Sequence, residues 1–368
     1  RLNISCATVS RCFTNHPGIN PVTRARVFQV AAEVGYVHLE ARTGKQKRKG
    51  KTTFGVLICS EEEEYYRTDY QNPSERILAG VSECALLNGV KIEVHLIDPK
   101  DRNLLDPSYL RLENPRKNWD GLLLLYPFPD PIPNQLALML PLVSLVEQFD
   151  HAGIDCVDVD HYKGISAAVE HLVEHGHKRI GFFTRTYAVE ASWSFRRYSA
   201  FMEKMVRLRL PVSPKDVINI FPSPEQEMEA SIEYAAERVR AGVTAWVCAA
   251  DHQAYELVRG LAKRGIDVPG MVSVTGFDDD RIADLHGLSL TTVNPLKLEQ
   301  ARRAVDCAIE RVDDGLGIPH LAVGHDVDRT AAVADRGVRQ IKAAGLPDHR
   351  EAERPEQIFD QIVLARRE

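Results

Sequence analysis

The stretch "CVDVDHYKGISAAVEHLVEHGHKRIGFFT", Cys156 to Thr184, reads as a strand, a helix and a second strand in immediate succession. Its first apolar run (156 to 160) ends on an aspartate, an amphipathic helix follows over 163 to 175, and "RIGFFT" (179 to 184) is again strand-like. Strands joined through a helix pair in parallel, and continuous apolar runs mark strands buried on both faces. The same alternation extends outward in both directions. Upstream, "TFGVLIC" (53 to 59), "KIEVHLID" (91 to 98), "DGLLLLYP" (120 to 127) and "LPLVSLVE" (140 to 147) read as strands, with a helix near 74 to 88. Downstream come helices over 194 to 207 and 225 to 240, strand "TAWVCAA" (244 to 250), helix 252 to 264 and strand "VSVTGF" (272 to 277). The pattern predicts an α/β fold of doubly wound parallel sheets, and its length predicts two of them.

In such sheets ligands bind beyond the carboxyl ends of the strands. The residues there are Ser60 with "EEEEYY", Tyr126, Asp160, Thr184, Asp251 and "DDD" at 278 to 280. Carboxylates that accept hydrogen bonds, set among aromatic faces, suit a small polyhydroxylated ligand. Each aspartate taken singly reads equally well as a turn or helix cap. A Gly-x-Gly-x-x-Gly turn, a Walker lysine loop and a nucleophile-elbow serine are all missing, and no nucleophile, base and orienter stand together. An enzyme is therefore not expected, nor is a cofactor. "HLVEH" (171 to 175) matches a zinc-protease pattern, but no third ligand is identifiable and a metal is not expected either.

Charge divides the 368-residue chain unevenly. Residues 1 to 51 hold ten Lys/Arg against two acids, a net of +8, while the remainder carries −14. A basic end on an acidic body suits contact with a polyanion, although a solvated basic tail has the same composition. The seven cysteines form no Cys-x-x-Cys pair and read as reduced core thiols. With no apolar run long enough to span a membrane and no signal core, a cytoplasmic location is expected.

The basic end is helical. Ser5 can cap a helix over about 6 to 13 that exposes Cys6, Ala7, Ser10 and Arg11. After the "HPG" turn, Asn20 caps a second helix with Pro21 at its first position, Val22, Val27, Val30, Ala31 and Val34 as its buried stripe, and Gly35 at its end. Two short helices around a turn, rich in Arg and hydroxyls, fit a helix-turn-helix DNA reader; a small dimerisation or capping subdomain has the same periodicity.

"ATVSRCFTN", "INPVTRARVFQVAAEVGYV", "HLVEHGHKRIGFF", "CAADHQAYELVRGLAKRGIDVPGMVSVTGFDDD" and "LSLTTVNP" together resemble the lactose/galactose repressor (LacI/GalR) family of bacterial transcription regulators. The likeness covers residues 1 to about 336. It implies a helix-turn-helix headpiece (1–38), a basic hinge (39–52) and a two-lobed, periplasmic-binding-protein-like core (53–336), followed by a charged tail (337–368). Lobe 1 is expected over about 53–157 and 292–322, and lobe 2 over about 158–291 and 323–336.

By this resemblance Ser5, Cys6, Ala7, Thr8, Ser10 and Arg11 face the DNA, Cys6 and Ala7 at base edges, and Thr23 and Arg24 touch the backbone. Cys6 and Ala7 cannot make bidentate hydrogen bonds, so they favour apolar edges such as a thymine methyl. For the effector the resemblance implies Asp160, Arg197 and Asp278, with Tyr65, Tyr66, Tyr70, Tyr126, Phe221 and Asp251 around them. The implied partners are an operator duplex, a sugar-like effector and a second copy of the chain.

Three departures are visible, one of them in the core, where Ala250 replaces a polar residue common just before the aspartate of "CAAD" and "SEEEEYYRTDYQ" is a long acidic loop, so an effector other than the family's commonest simple sugar is expected. The family's opening helix would lie upstream of Ile4 and is missing from this sequence, and "VHLEARTGKQKRKGK" replaces the usual Ala-rich hinge with its minor-groove leucine. Lys45, Lys47 and Arg48 are expected to contact phosphates instead, adding affinity but little sequence information. The expected function is an effector-controlled, DNA-binding transcriptional regulator, a repressor by resemblance. The alternative is a sugar sensor that does not act on DNA.

Overall fold

The computed structural model describes residues 4–13, 18–33, 52–65, 73–150, 153–219, 228–280, 290–313, 331–333 and 338–340. Two helices, α1 (Cys6–Phe13) and α2 (Pro21–Glu33), precede the sheets. Next come β1 (Thr53–Cys59), α3 (Glu62–Tyr65), α4 (Pro73–Leu87), β2 (Lys91–Ile97), α5 (Pro107–Leu110), α6 (Pro115–Asn118), β3 (Gly121–Leu125), α7 (Ile132–Ala137), β4 (Leu142–Leu145) and β5 (Ile154–Val159). The chain then makes α8 (His161–Glu174), β6 (Ile180–Phe183), α9 (Ser192–Arg207), β7 (Val217–Ile218), α10 (Met228–Arg240), β8 (Ala245–Cys248), α11 (Asp251–Lys263), β9 (Ser273–Thr275) and β10 (Thr291–Val293). It closes with α12 (Lys297–Asp313), β11 (Ala331–Val333) and β12 (Val338–Gln340).

Two six-stranded sheets result, ordered β11-β5-β4-β3-β1-β2 and β12-β10-β9-β8-β6-β7. The first is parallel throughout, and the second is parallel except where β12 runs against β10. Helices on both faces explain the uninterrupted apolar strands: every residue of "GLLLL" in β3 is buried.

The same close-packing device recurs in each sheet. A Cβ on Gly55 of β1 would stand 2.4 Å from the Trp119 ring, and one on Gly181 of β6 would stand 2.4 Å from the Trp246 ring. Each glycine lets an indole lie flat on its strand.

The chain passes between lobes three times, after β5, after β10 and between β11 and β12. The first two passages fall slightly later than expected, since β5 runs through Val159 and β10 through Val293. The third differs more. Residues 331–333 pair with β5 in the first sheet, and 338–340, expected in the charged tail, form the edge of the second. Three-residue strands are too short to show a period of two, which is why the sequence reading passed over them.

The headpiece helices start where expected. Thr8 N–H donates to Ser5 Oγ at 3.1 Å, and Val22 N–H donates to Asn20 Oδ1 at 2.8 Å. Val27 and Cys12 are buried together with Leu138 of the body. Val22 is 56% exposed, in the first turn of α2 beside Pro21, so it does not belong to the expected stripe. Val34 and Gly35 lie outside the described residues.

Candidate functional site

A cavity of about 410 Å³ opens between the two lobes, within the range of small-molecule sites. Its floor is Arg197, on the first turns of α9. The guanidinium lies 3.7 Å from the Phe277 ring centroid and 4.7 Å from that of Trp193. Nε donates to His161 Nδ1 (3.2 Å), Nη1 to the Ala249 carbonyl and Nη2 to Asp278 Oδ1 (3.2 Å). Arginine carries five N–H donors, so two remain for a ligand. Because Arg197 must donate, His161 Nδ1 accepts, and its Nε2–H goes to Asp158 Oδ2 at 2.9 Å. His161 is therefore neutral, and burial holds its pKa down.

Aromatic faces line one wall. Tyr187 meets Trp193 edge-on at 5.4 Å between centroids, and its hydroxyl accepts from Gln253 Nε2 at 2.6 Å. Arg185 stacks on the outer face of Tyr187. On the lobe 1 side stand Tyr126, Val146 and Lys297, the last paired with buried Asp280.

Backbone strain collects at this cleft. Tyr126 and Val146 each have φ of 73°, Asp278 has 122° and Asp279 has 50°. All four follow strand ends. For a β-branched valine such a φ is an outlier, costing on the order of 1–3 kcal/mol. Strain of this kind concentrates at ligand sites.

The expected effector residues separate into three groups. Tyr126, Arg197 and Asp278 line the cavity together. Asp160 does not: its carboxylate accepts from Lys163 N–H (2.8 Å) and caps α8, while Asp158, two residues earlier, faces the cleft. Asp251 lies wholly buried beneath the floor, accepting from the Thr292 hydroxyl and from Asp280 N–H. Burial, with Asp280 and Asp278 nearby, raises its pKa well above the usual carboxylate value. It anchors the 278–280 loop rather than meeting a ligand. Tyr65 packs on the apolar core of the first sheet. Tyr66, Tyr70 and Phe221 lie outside the described residues.

Asp158, His161, Tyr187, Trp193, His252 and Lys297 were not foreseen. Tyr187 and Trp193 sit in "RTYAVEASW", which runs from the β6 strand end into the start of α9, and an aromatic pair so close past a strand end is the signal in the sequence that marks them.

On the headpiece, Ser5 and Arg11 are exposed, while Thr8, Thr23 and Arg24 are half-buried. Cys6, Ala7 and Ser10 lie on α1. Lys45, Lys47 and Arg48 fall outside the described residues. Among the described residues no three His, Cys, Asp or Glu converge to hold a metal; the rings of His171 and His175 of the zinc-like motif lie 4.3 Å apart, tilted at 47° to each other. No helix of the described residues is long and apolar enough to cross a membrane.

The fold and cleft define a two-lobed, small-molecule-binding core behind a helix-turn-helix segment. Residues 169–325 match the periplasmic binding protein-like domain, and residues 2–38 match bacterial regulatory proteins, lacI family. The chain is 24% identical over 324 residues to the HTH-type transcriptional repressor PurR of Haemophilus influenzae, covering 85% of this chain and 90% of that one. Two solved structures share the fold. The CelR–cellobiose complex aligns with a TM-score of 0.60 and 20% identity, covering 85% of this chain and 91% of that one. The lac repressor dimer bound to operator and the anti-inducer ONPF aligns at 0.58 and 20%, covering 85% and 90%. The chain is thus similar to the lacI family of bacterial regulatory proteins along its N-terminal segment and to the periplasmic binding protein-like domain in its body. These likenesses support a DNA-binding transcriptional regulator that answers to a small-molecule effector.

Proposed function

We propose that the effector is a sugar or sugar derivative held between the lobes, and that its binding changes operator affinity in a cytoplasmic homodimer that represses transcription. The observation carrying this reading is the pairing of Arg197 and Asp278 beneath Tyr187 and Trp193. A guanidinium with two spare donors beside a carboxylate grips vicinal hydroxyls from both sides, and aromatic faces cover the apolar face of a pyranose. The CelR structure of the same fold is a complex with cellobiose.

Control follows from geometry. The cleft is walled by both lobes, so an effector binds one lobe arrangement more tightly than the other and shifts the spacing of two headpieces in the dimer. The protein acts by binding, without turnover. In the headpiece, α1 is the recognition helix: Cys6 and Ala7 meet base edges, Ser5, Thr8, Ser10 and Arg11 flank them, and Thr23 and Arg24 hold phosphates. Residues 1–38 form the DNA unit and 39–52 the linker, whose Lys45, Lys47 and Arg48 follow the backbone.

The test is calorimetry with a panel of mono- and disaccharides and nucleosides. The reading requires a saccharide to bind and Asp278→Ala to weaken it at least tenfold while non-specific DNA binding persists. Unchanged affinity in the variant, or a nucleoside as the one ligand, overturns it.

A further inference from the structure

The seam behind the cleft holds an arrangement that effector contacts do not explain. Helix α9 carries Arg197, yet its own N-cap residue is Ala191, which has no side chain able to cap it. The first turn is capped from the other lobe. Glu147, just past β4 of the first sheet, accepts from Ser192 N–H at 3.1 Å through Oε2 and from Gln148 N–H at 3.0 Å through Oε1. Its backbone is fixed there, because Ser144 Oγ donates to the Glu147 carbonyl at 2.5 Å and strained Val146 precedes it.

A second lobe 1 carboxylate, Asp158 at the end of β5, stands beside it. Arg196 Nη1 of α9 lies 3.6 Å from Glu147 Oε1 and 3.6 Å from Asp158 Oδ2, serving both without a close hydrogen bond to either. The remaining groups on Asp158 are neutral: Gln148 Nε2 at 2.9 Å and the His161 imidazole of α8. Arg197, on the far side of His161, is already committed to Asp278. Two carboxylates with side chains 2–3% exposed thus share one guanidinium, and the seam carries a surplus negative charge where water is excluded.

We propose that Glu147 makes closure of the two lobes proton-linked: closing the cleft carries its carboxylate into the seam, where it binds one proton from solvent, and opening releases that proton. The neutral carboxylic acid keeps its contacts with the α9 N-terminus while removing the surplus charge. Burial pushes the Glu147 carboxyl up to about 7, with Arg196 opposing. A group that holds its proton more tightly in the closed state favours that state as the pH falls. Closure is therefore favoured below neutrality and weakens as the pH rises through it. This regulation rests on reading the interlobe cleft as the effector site, but its test uses neither DNA nor effector.

Small-angle scattering and infrared spectroscopy of the full ligand-free protein across neutral pH provide that test. The wild type should become more compact, and gain a protonated-carboxyl band, as the pH falls. Glu147→Gln, a permanent mimic of the neutral acid, should be compact throughout and show a smaller pH-dependent gain in that band, the remainder belonging to buried Asp251 and Asp280. Arg196→Gln removes the cation that both carboxylates share and should move the wild-type midpoint upward, which keeps the proposal testable if the first variant fails to fold. A Glu147→Gln protein that still opens at high pH, an undiminished gain of the band in it, or an unmoved midpoint in Arg196→Gln overturns the proposal. Failure of a saccharide to bind would overturn the effector reading and leave these results standing.

Discussion

The Arg197 guanidinium lies 3.7 Å above the Phe277 ring centroid, clamped between that ring and the cleft, with Asp278 as its charge partner. Lobe 2 thereby presents a cation whose position is set before any ligand arrives. Arg197→Ala should lower unfolding free energy by about 3–5 kcal/mol, because it leaves Asp278 and the Ala249 carbonyl without their donor. Arg197→Lys keeps the charge but not the planar fork, and should weaken effector binding at least tenfold with a smaller loss of stability. Urea unfolding and calorimetry separate the two. Equal behaviour of both variants would contradict the fork's role.

Gly181 and Trp246 supply a stability prediction. Gly181→Ala forces a methyl into the indole and should cost about 1–3 kcal/mol by overpacking, read as a lowered thermal midpoint. Gly176→Ala gives a control of a different kind, because a Cβ there meets nothing but sits at φ of 89°. Gly181→Ala with an unchanged midpoint would contradict the packing.

Burial pushes His171 down to about 4, with repulsion from His175 and His177 adding to it. The folded protein then binds this proton more weakly than the unfolded chain. Its contribution is complete above pH 6.5 and is lost as the pH falls from 6.5 toward 4. After allowance for partial solvent screening the loss is about 2 kcal/mol. Denaturant titrations of His171→Gln should show a flatter acid limb than the wild type; identical limbs would contradict it.

Lys45, Lys47 and Arg48 should act on DNA without reading sequence. Each replacement by Ala should reduce the slope of log affinity against log salt by about one and leave the preferred site unchanged. A changed site preference would place these side chains at bases instead.

Much of the fold was legible because buried parallel strands write themselves as apolar runs: "TFGVLIC" and "DGLLLLYP" could hardly be other than core strands. What escaped was short or non-local. The three-residue strands β11 and β12 show no period, and α5 to α7 are only four to six residues long within apparent loop. In the site, Arg197 and Asp278 line the cleft at the positions where their motifs put them. Asp160 and Asp251 misled, since a carboxylate after a strand equally caps a helix or anchors a loop, and only the fold decides which. Asp158 and Glu147 were hidden because their partners on α9 lie far along the chain.

The central claim is that one chain couples a sequence-reading headpiece to the cleft. Selection of the full-length protein against fragments of its own genome at several salt concentrations tests it most directly, repeated with the saccharide that calorimetry identifies. The account predicts enrichment of one roughly palindromic site that survives moderate salt and whose occupancy shifts when that saccharide is added, but not in Asp278→Ala. Binding that is sequence-blind and lost in salt, or an enriched site indifferent to the cleft ligand, would contradict it.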